Sequence, residues 1–171
     1  MELTVRKNDL LPELQLFQGI IERKNTIPIL GNILIKAEED GTVQLLATDL
    51  EVALRGQSSA TVAKGGSITI PAKKLYEIVK SLPETEIRIK EGVKGSVSIL
   101  ADRFESRMQT LPKEDFPMIE ITDLKNEISI QSQTLLNLIE KTKFAISNEE
   151  TRYFLNGVYF HKKYIDNLDY L

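Results

Sequence analysis

Residues 26–35 read TIPILGNILI, a run of β-branched residues and leucine interrupted by Pro28 and by Gly31-Asn32. Ile27 precedes a proline and should be extended. Residues 33–37 continue as a strand. The chain then says this again. Residues 151–160 read TRYFLNGVYF, with a polar start, an apolar pair, Asn-Gly in place of Gly-Asn, and three more apolar residues, 125 positions further on. Sliding residues 2–36 onto 127–161 needs no gap. It pairs Leu3 with Ile128, Val5 with Ile130, Leu10 with Leu135, Leu14 with Ile139, Ile21 with Ile146 and Leu30 with Leu155. Any two strand–helix–strand units look somewhat alike, but ungapped agreement through helix, loop and strand indicates a structural repeat.

The chain has 171 residues, a length for one domain or one and a fraction. Its apolar share of 42% and charged share of 27% read as globular. It has no Cys, which excludes disulfides and thiolate chemistry. The start, Met1-Glu2-Leu3-Thr4, is not a signal peptide, and no apolar run approaches the ~20 residues of a membrane span. A cytoplasmic protein without membrane contact is expected. The net charge of −3 argues against tight coating of nucleic acid.

Taken in order, residues 2–6 alternate as a strand. Asn8 or Asp9 can cap a helix with Pro12 in its first turn and Leu10, Leu14, Phe17 and Ile21 on its apolar face. Asp40-Gly41 is a hairpin turn between strands 33–37 and 42–48. Residues 49–55 and 58–63 read as two strands around Gly56, and 67–70 as another. Pro71 opens a second helix with Leu75, Ile78, Val79 and Leu82 apolar, ended by Pro83. Strands at 86–90, 96–100 and 103–110 follow. Residues 111–119 are irregular and 123–126 are a linker. At Glu127 the pattern restarts with a strand and a helix over 133–146. The expected domains are 1–122, complete, and 127–171, the start of a second unit whose pattern stops in its third strand at Leu171.

Nothing in this pattern supports catalysis, a metal or a cofactor. His161 is the only His. Asp49 and Glu51 share a strand face but lack a third ligand. Gly65-Gly66 and Gly92 to Gly95 are turns without the Lys-Ser/Thr of a phosphate loop. Ser58-Ser59 has no base partner. What remains is charge: three Lys against one Glu on the second helix, Lys141 and Lys143 against Glu140 on the third, and Arg23, Lys24 and Arg152 in loops. These fit ordinary solvated faces. They also fit a mild positive face touching a polyanion through its phosphates.

Five segments carry a resemblance: TIPILGNILI, LLATDLEVAL (45–54), ITIPAKKLYEIVKSLP (68–83), TLPKEDFP (110–117) and RYFLNG (152–157). Together, in order and at near-constant spacing over the whole chain, they resemble the bacterial DNA polymerase III beta subunit family, the sliding clamps. The resemblance implies an α+β fold in which each domain packs two helices on two antiparallel four-stranded sheets. It implies a ring closed by self-association, duplex DNA threaded through it, and polymerase III subunits and a clamp loader as partners, with no chemistry performed. By position it places DNA contacts at Lys24, Lys73, Glu149, Tyr153 and Phe154, with Arg23 and Arg152 as further basic candidates. At Glu149 the chain departs from the family pattern, and a carboxylate there would repel phosphates. Tyr153 and Phe154 also fit core packing, since Phe154 is the repeat partner of Ile29. The resemblance puts the ring interface on Lys74, Ile78, Arg103, Glu105 and Met108, and one edge of a partner-peptide pocket at Leu155. A scaffold reusing the fold without DNA is the alternative reading.

On this reading the 171 residues alone neither close a ring nor hold a partner peptide tightly. Size-exclusion chromatography with light scattering should give a mass near the 19.4 kDa of one chain. A stable, ring-sized dimer would contradict it.

Overall fold

The structure is a computed structural model that describes residues 1–21, 27–118 and 128–160. The chain separates into two compact units, Met1–Glu120 and Ile121–Leu171.

The first unit opens with β1 (Glu2–Arg6), which runs directly into α1 (Lys7–Ile21). Asn8 and Asp9 are therefore inside the helix rather than capping it, and Pro12 lies beyond its first turn. Residues Pro28–Gly31 form a 3-10 turn before β2 (Asn32–Ala37). The hairpin to β3 (Thr42–Thr48) follows the sequence reading. Gly41 takes φ +90°, and the Thr42 amide donates to the Asp40 carboxylate at 2.8 Å, which holds that carboxyl below its ordinary range.

The next stretch differs from the sequence reading. Residues 49–52 are a turn, not a strand. The Asp49 carboxylate accepts from the amides of Glu51 and Val52, and Leu50 sits at φ +78°. Asp49 and Glu51 thus do not share a strand face. The strand β4 (Ala53–Ser59) passes straight through Gly56, and the break comes at Ala60, before β5 (Thr61–Lys64). The reason lies in tertiary contact. A Cβ on Gly56 would collide with the Glu13 carboxylate and lie 3.0 Å from the Phe17 ring, so glycine is needed for β4 to cross α1 closely.

After β6 (Gly66–Pro71) come α2 (Ala72–Ser81), β7 (Glu86–Glu91), β8 (Ser96–Ala101) and β9 (Phe104–Gln109). The strands form two antiparallel sheets ordered β5-β1-β7-β8-β9 and β4-β3-β2-β6. One sheet has five strands rather than the expected four, because the chain crosses from β4 to β5 at Ala60 and so adds a strand to the other sheet. On its outer face the Glu2 carboxylate pairs with Arg88 and Lys90, and the hydrogen bond from Arg88 draws it below the usual carboxylate range.

Both sheets and both helices share one core. Leu10, Leu14, Phe17 and Ile21 of α1 meet Leu75 and Val79 of α2, Ile33, Ile35 and Leu45 of one sheet, and Ile87, Ile89 and Ile99 of the other. Each such buried side chain contributes about 1.5–3 kcal/mol. A smaller cluster of Ile29, Leu30, Leu34 and Phe116 covers the far face of the four-stranded sheet. The Thr69 hydroxyl joins that sheet to the following segment, donating to the Leu111 carbonyl at 2.5 Å and accepting its amide at 3.1 Å.

In the second unit α3 (Ser132–Thr142) is followed by 3-10 turns at Lys143–Ala145 and Glu150–Leu155. Residues 128–130 and 158–160 are not in strands. The helix follows the sequence reading; the two strands expected there do not form among the described residues. The TIPILGNILI echo survives as a shared 3-10 turn, at Pro28–Gly31 in one copy and Glu150–Leu155 in the other.

Gly56→Ala should destabilise the chain by about 1–3 kcal/mol in urea titrations followed by circular dichroism. Adding Glu13→Ala should restore only part of this, since the Phe17 ring, fully buried, cannot retreat.

Candidate nucleic-acid interface

On α2 the buried positions Ala72, Leu75 and Val79 hold one side against the core, which leaves Lys73, Lys74, Glu77 and Lys80 exposed on the other. The helix starts after Pro71 with no side-chain cap and no acidic residue in its first turn. Lys73 and Lys74 sit in that turn, beside uncapped amides, where the helix dipole disfavours cations. Positive charge and amide donors therefore lie together at this helix end. Lys80 lies over the Tyr76 ring, 5.5 Å from its centroid.

The neighbouring α1 offers no such face. Arg6, at its start, is held by Asp9 at 2.7 Å. Lys7 is spent on structure: its ammonium donates to the Leu82 carbonyl and, at 3.3 Å, to the Lys80 carbonyl, capping the C-terminus of α2. Sequence periodicity alone cannot show this contact, which joins residues 73 and 75 positions apart. Arg23 and Lys24 lie outside the described residues, as does His161.

In the second unit Lys141 and Lys143 are exposed on and after α3, with Lys143 3.8 Å from Glu140. The turn that follows is closed by its own backbone. The Ser147 amide donates to Leu155, Glu149 to the Ser147 hydroxyl, and Arg152 to the Glu149 carbonyl. The Glu149 carboxylate lies 3.4 Å from the Arg152 guanidinium, so it neutralises the candidate cation beside it. Tyr153 and Phe154 stand edge to face at 6.0 Å and are 78% and 72% exposed. Core packing, the alternative weighed for them, does not occur among the described residues; Ile29, the repeat partner of Phe154, is 7% exposed. Leu155 is also exposed.

Of the residues assigned to a ring interface, Lys74, Arg103 and Glu105 are exposed and Ile78 is half-buried against the core. Met108 is a correction. It is 3% exposed and belongs to the core, because strand alternation from β9's exposed Glu105, Arg107 and Gln109 turns it inward. Phe104 and Arg107, which the sequence reading passed over, are exposed. Among the described residues β9 pairs only with β8, which leaves its other edge open.

The family description "DNA polymerase III beta subunit, N-terminal domain" matches residues 1–120, and that of the central domain matches 129–167. The chain belongs to the DNA polymerase III beta subunit family. It is 42% identical over 163 residues to the beta sliding clamp of Caulobacter vibrioides and 36% identical over 163 residues to that of Escherichia coli, each time covering 94% of this chain and 44% of the relative. Among solved structures, the Caulobacter crescentus pol III beta superposes with a TM-score of 0.88 at 41% identity, over 94% of this chain and 43% of that one. The sliding clamp of Bartonella birtlesii bound to griselimycin gives 0.89 at 40% identity over 94% and 43%. The chain thus spans less than half the length of the relatives it matches.

Lys7→Met should cost about 1 kcal/mol of stability by removing the cap on α2, and Lys7→Arg should retain most of it; urea titration checks both.

Proposed function

We propose that this chain acts as part of a DNA sliding clamp, a ring around duplex DNA that tethers a replicative polymerase and performs no chemistry itself. The observation that carries this is the exposed Lys73, Lys74 and Lys80 row on α2, with two of the three in an uncapped first turn. A cation placed against its helix dipole costs stability, so its presence calls for a ligand such as phosphate. Residues 1–122 are one clamp domain, joined through 123–126 to residues 127–171 of the next.

The contact is with phosphates and reads no bases. A few lysines on a chain of net charge −3 bind weakly. Weak binding suits a ring that must move along its track, since retention comes from enclosure rather than grip. Tethering then raises the polymerase's effective concentration at its template. Arg152, Tyr153 and Phe154 form a second contact on the central domain, with Glu149 moderating Arg152. Lys24, with Arg23 as a further basic candidate, is a separate contact of the first domain by position in the sequence.

Ring closure uses Lys74 and Ile78 on α2 together with the open edge of β9. A partner strand laid along that edge would satisfy its free amides and carbonyls. The charges at Arg103, Glu105 and Arg107 would set its register and choose its partner. Polymerase III subunits and the clamp loader are the expected protein partners, with Leu155 at one edge of their binding pocket, and the cytoplasm is the expected location. The scaffold alternative, which gives DNA no role, finds no support in the α2 row.

Anisotropy titration of labelled duplexes against salt should give sequence-independent binding. Lys73→Ala and Lys80→Ala should each reduce the log–log salt slope by about one. Unchanged slopes, or a strong preference among sequences, would remove DNA from the reading.

A further inference from the structure

The repeat supplies its own control for an unexpected piece of chemistry. In the first copy the order is Gly31-Asn32. Asn32 is 5% exposed, its carboxamide donates to the Thr69 hydroxyl at 3.4 Å, and the next residue is the β-branched Ile33 within β2. In the second copy the order is Asn156-Gly157, the one place in the chain where Asn precedes Gly. Both residues are exposed, and a Cβ built on Gly157 would meet nothing within 4 Å. The Asn156 amide donates to the Tyr153 carbonyl at 3.1 Å, which fixes the residue's own nitrogen. Among the described residues no hydrogen bond holds its carboxamide or the Gly157 amide.

We propose that Asn156-Gly157 is a site of spontaneous deamidation, and that it places a new carboxylate beside the Arg152-Tyr153-Phe154 segment. The Gly157 amide nitrogen loses its proton and attacks Cγ of Asn156. A C–N bond forms, the carboxamide nitrogen leaves as ammonia, and a five-membered succinimide results. Water then opens the ring at either carbonyl, giving aspartate or isoaspartate. Nothing is oxidised or reduced, and water is the only co-reactant. Glycine matters because a side chain would obstruct the approach and because its backbone can swing into the reactive geometry. Asn32 can do neither, locked in β2 and followed by isoleucine. Asn8 and Asn137 lie inside α1 and α3, and Asn148 precedes Glu149.

The product carries one more negative charge, next to an Arg152 that Glu149 already half neutralises. Isoaspartate also lengthens the main chain by one methylene just after the turn that presents Tyr153 and Phe154. The structure therefore contains a clock that weakens this segment's hold on a polyanion as the protein ages. That consequence rests on the proposed DNA contact; the modification does not.

The two are separated by experiment. The full chain is incubated in alkaline buffer at physiological temperature and digested with trypsin, and the peptide covering 153–162 is followed by mass spectrometry. A gain of about one mass unit, split between two chromatographic forms, should accumulate there faster than at any other Asn. Gly157→Ala should slow it about tenfold while folding normally, since the added methyl has open space. Equal rates in that variant, or faster change elsewhere, would overturn the proposal. In anisotropy titrations at low salt, Asn156→Asp should bind duplex DNA about two- to fivefold more weakly than the unmodified chain. Equal affinity would remove the charge effect and leave the chemistry standing. An unmodified chain with no DNA binding would instead refute the proposed function, with the mass measurement still deciding the modification.

Discussion

The close passage of β4 over Phe17 is the constraint on which the first unit rests. With no side chain at Gly56, the strand lies against α1 at a separation that a Cβ would forbid. That lets the four-stranded sheet reach the helix, and the chain, turning at Ala60, enters the other sheet as β5. Two sheets are thereby fastened over one helix by a continuous segment. They share a single core instead of packing face to face as a sandwich. Once α1 is enclosed, α2 completes the core from beside it, and Lys7 fixes the second helix's end to the first helix's start.

This division of labour decides where function can sit. The cations at the start of α1 are committed to Asp9 and to the carbonyls ending α2. Those of α2 form no ion pair among the described residues and are exposed. Surface ion pairs elsewhere, such as Arg152 with Glu149, are worth little in stability, about 0–1 kcal/mol. Their effect is to lower the net positive field at that point. Two faint electrostatic contacts on separate units fit the proposed clamp, in which enclosure rather than grip retains DNA.

Much of this was legible in the sequence, and the failures share a cause. The spacing of Leu10, Leu14, Phe17 and Ile21 gave α1's buried face, and all four are buried. The Asp40-Gly41 turn, the β2–β3 hairpin and α2 behind Pro71 were read from local chemistry, and local chemistry governs them. Gly56 was misread as a break because glycine in a strand has two meanings, a turn or a close approach, and only the tertiary partner chooses between them. Asp49 and Glu51 looked like strand residues until the Asp49 carboxylate captured two amides of its own turn. The resemblance put Met108 in the ring interface, although counting alternation from Glu105 turns it inward. The strand readings at 128–130 and 158–160 failed because a strand, unlike a helix, has no stability without a neighbour to bond. α3 satisfies its own backbone and was found where expected.

Lys73 and Lys74 occupy the one turn of α2 where a carboxylate would have been worth about 0.3–1 kcal/mol. A library of variants selected only for heat resistance would drift there toward Asp and Glu, and would arrive at a sturdier chain without the cations on which the proposed DNA contact depends. The fold and the task pull these two positions in opposite directions, so a composition chosen for one reads as a defect in the other.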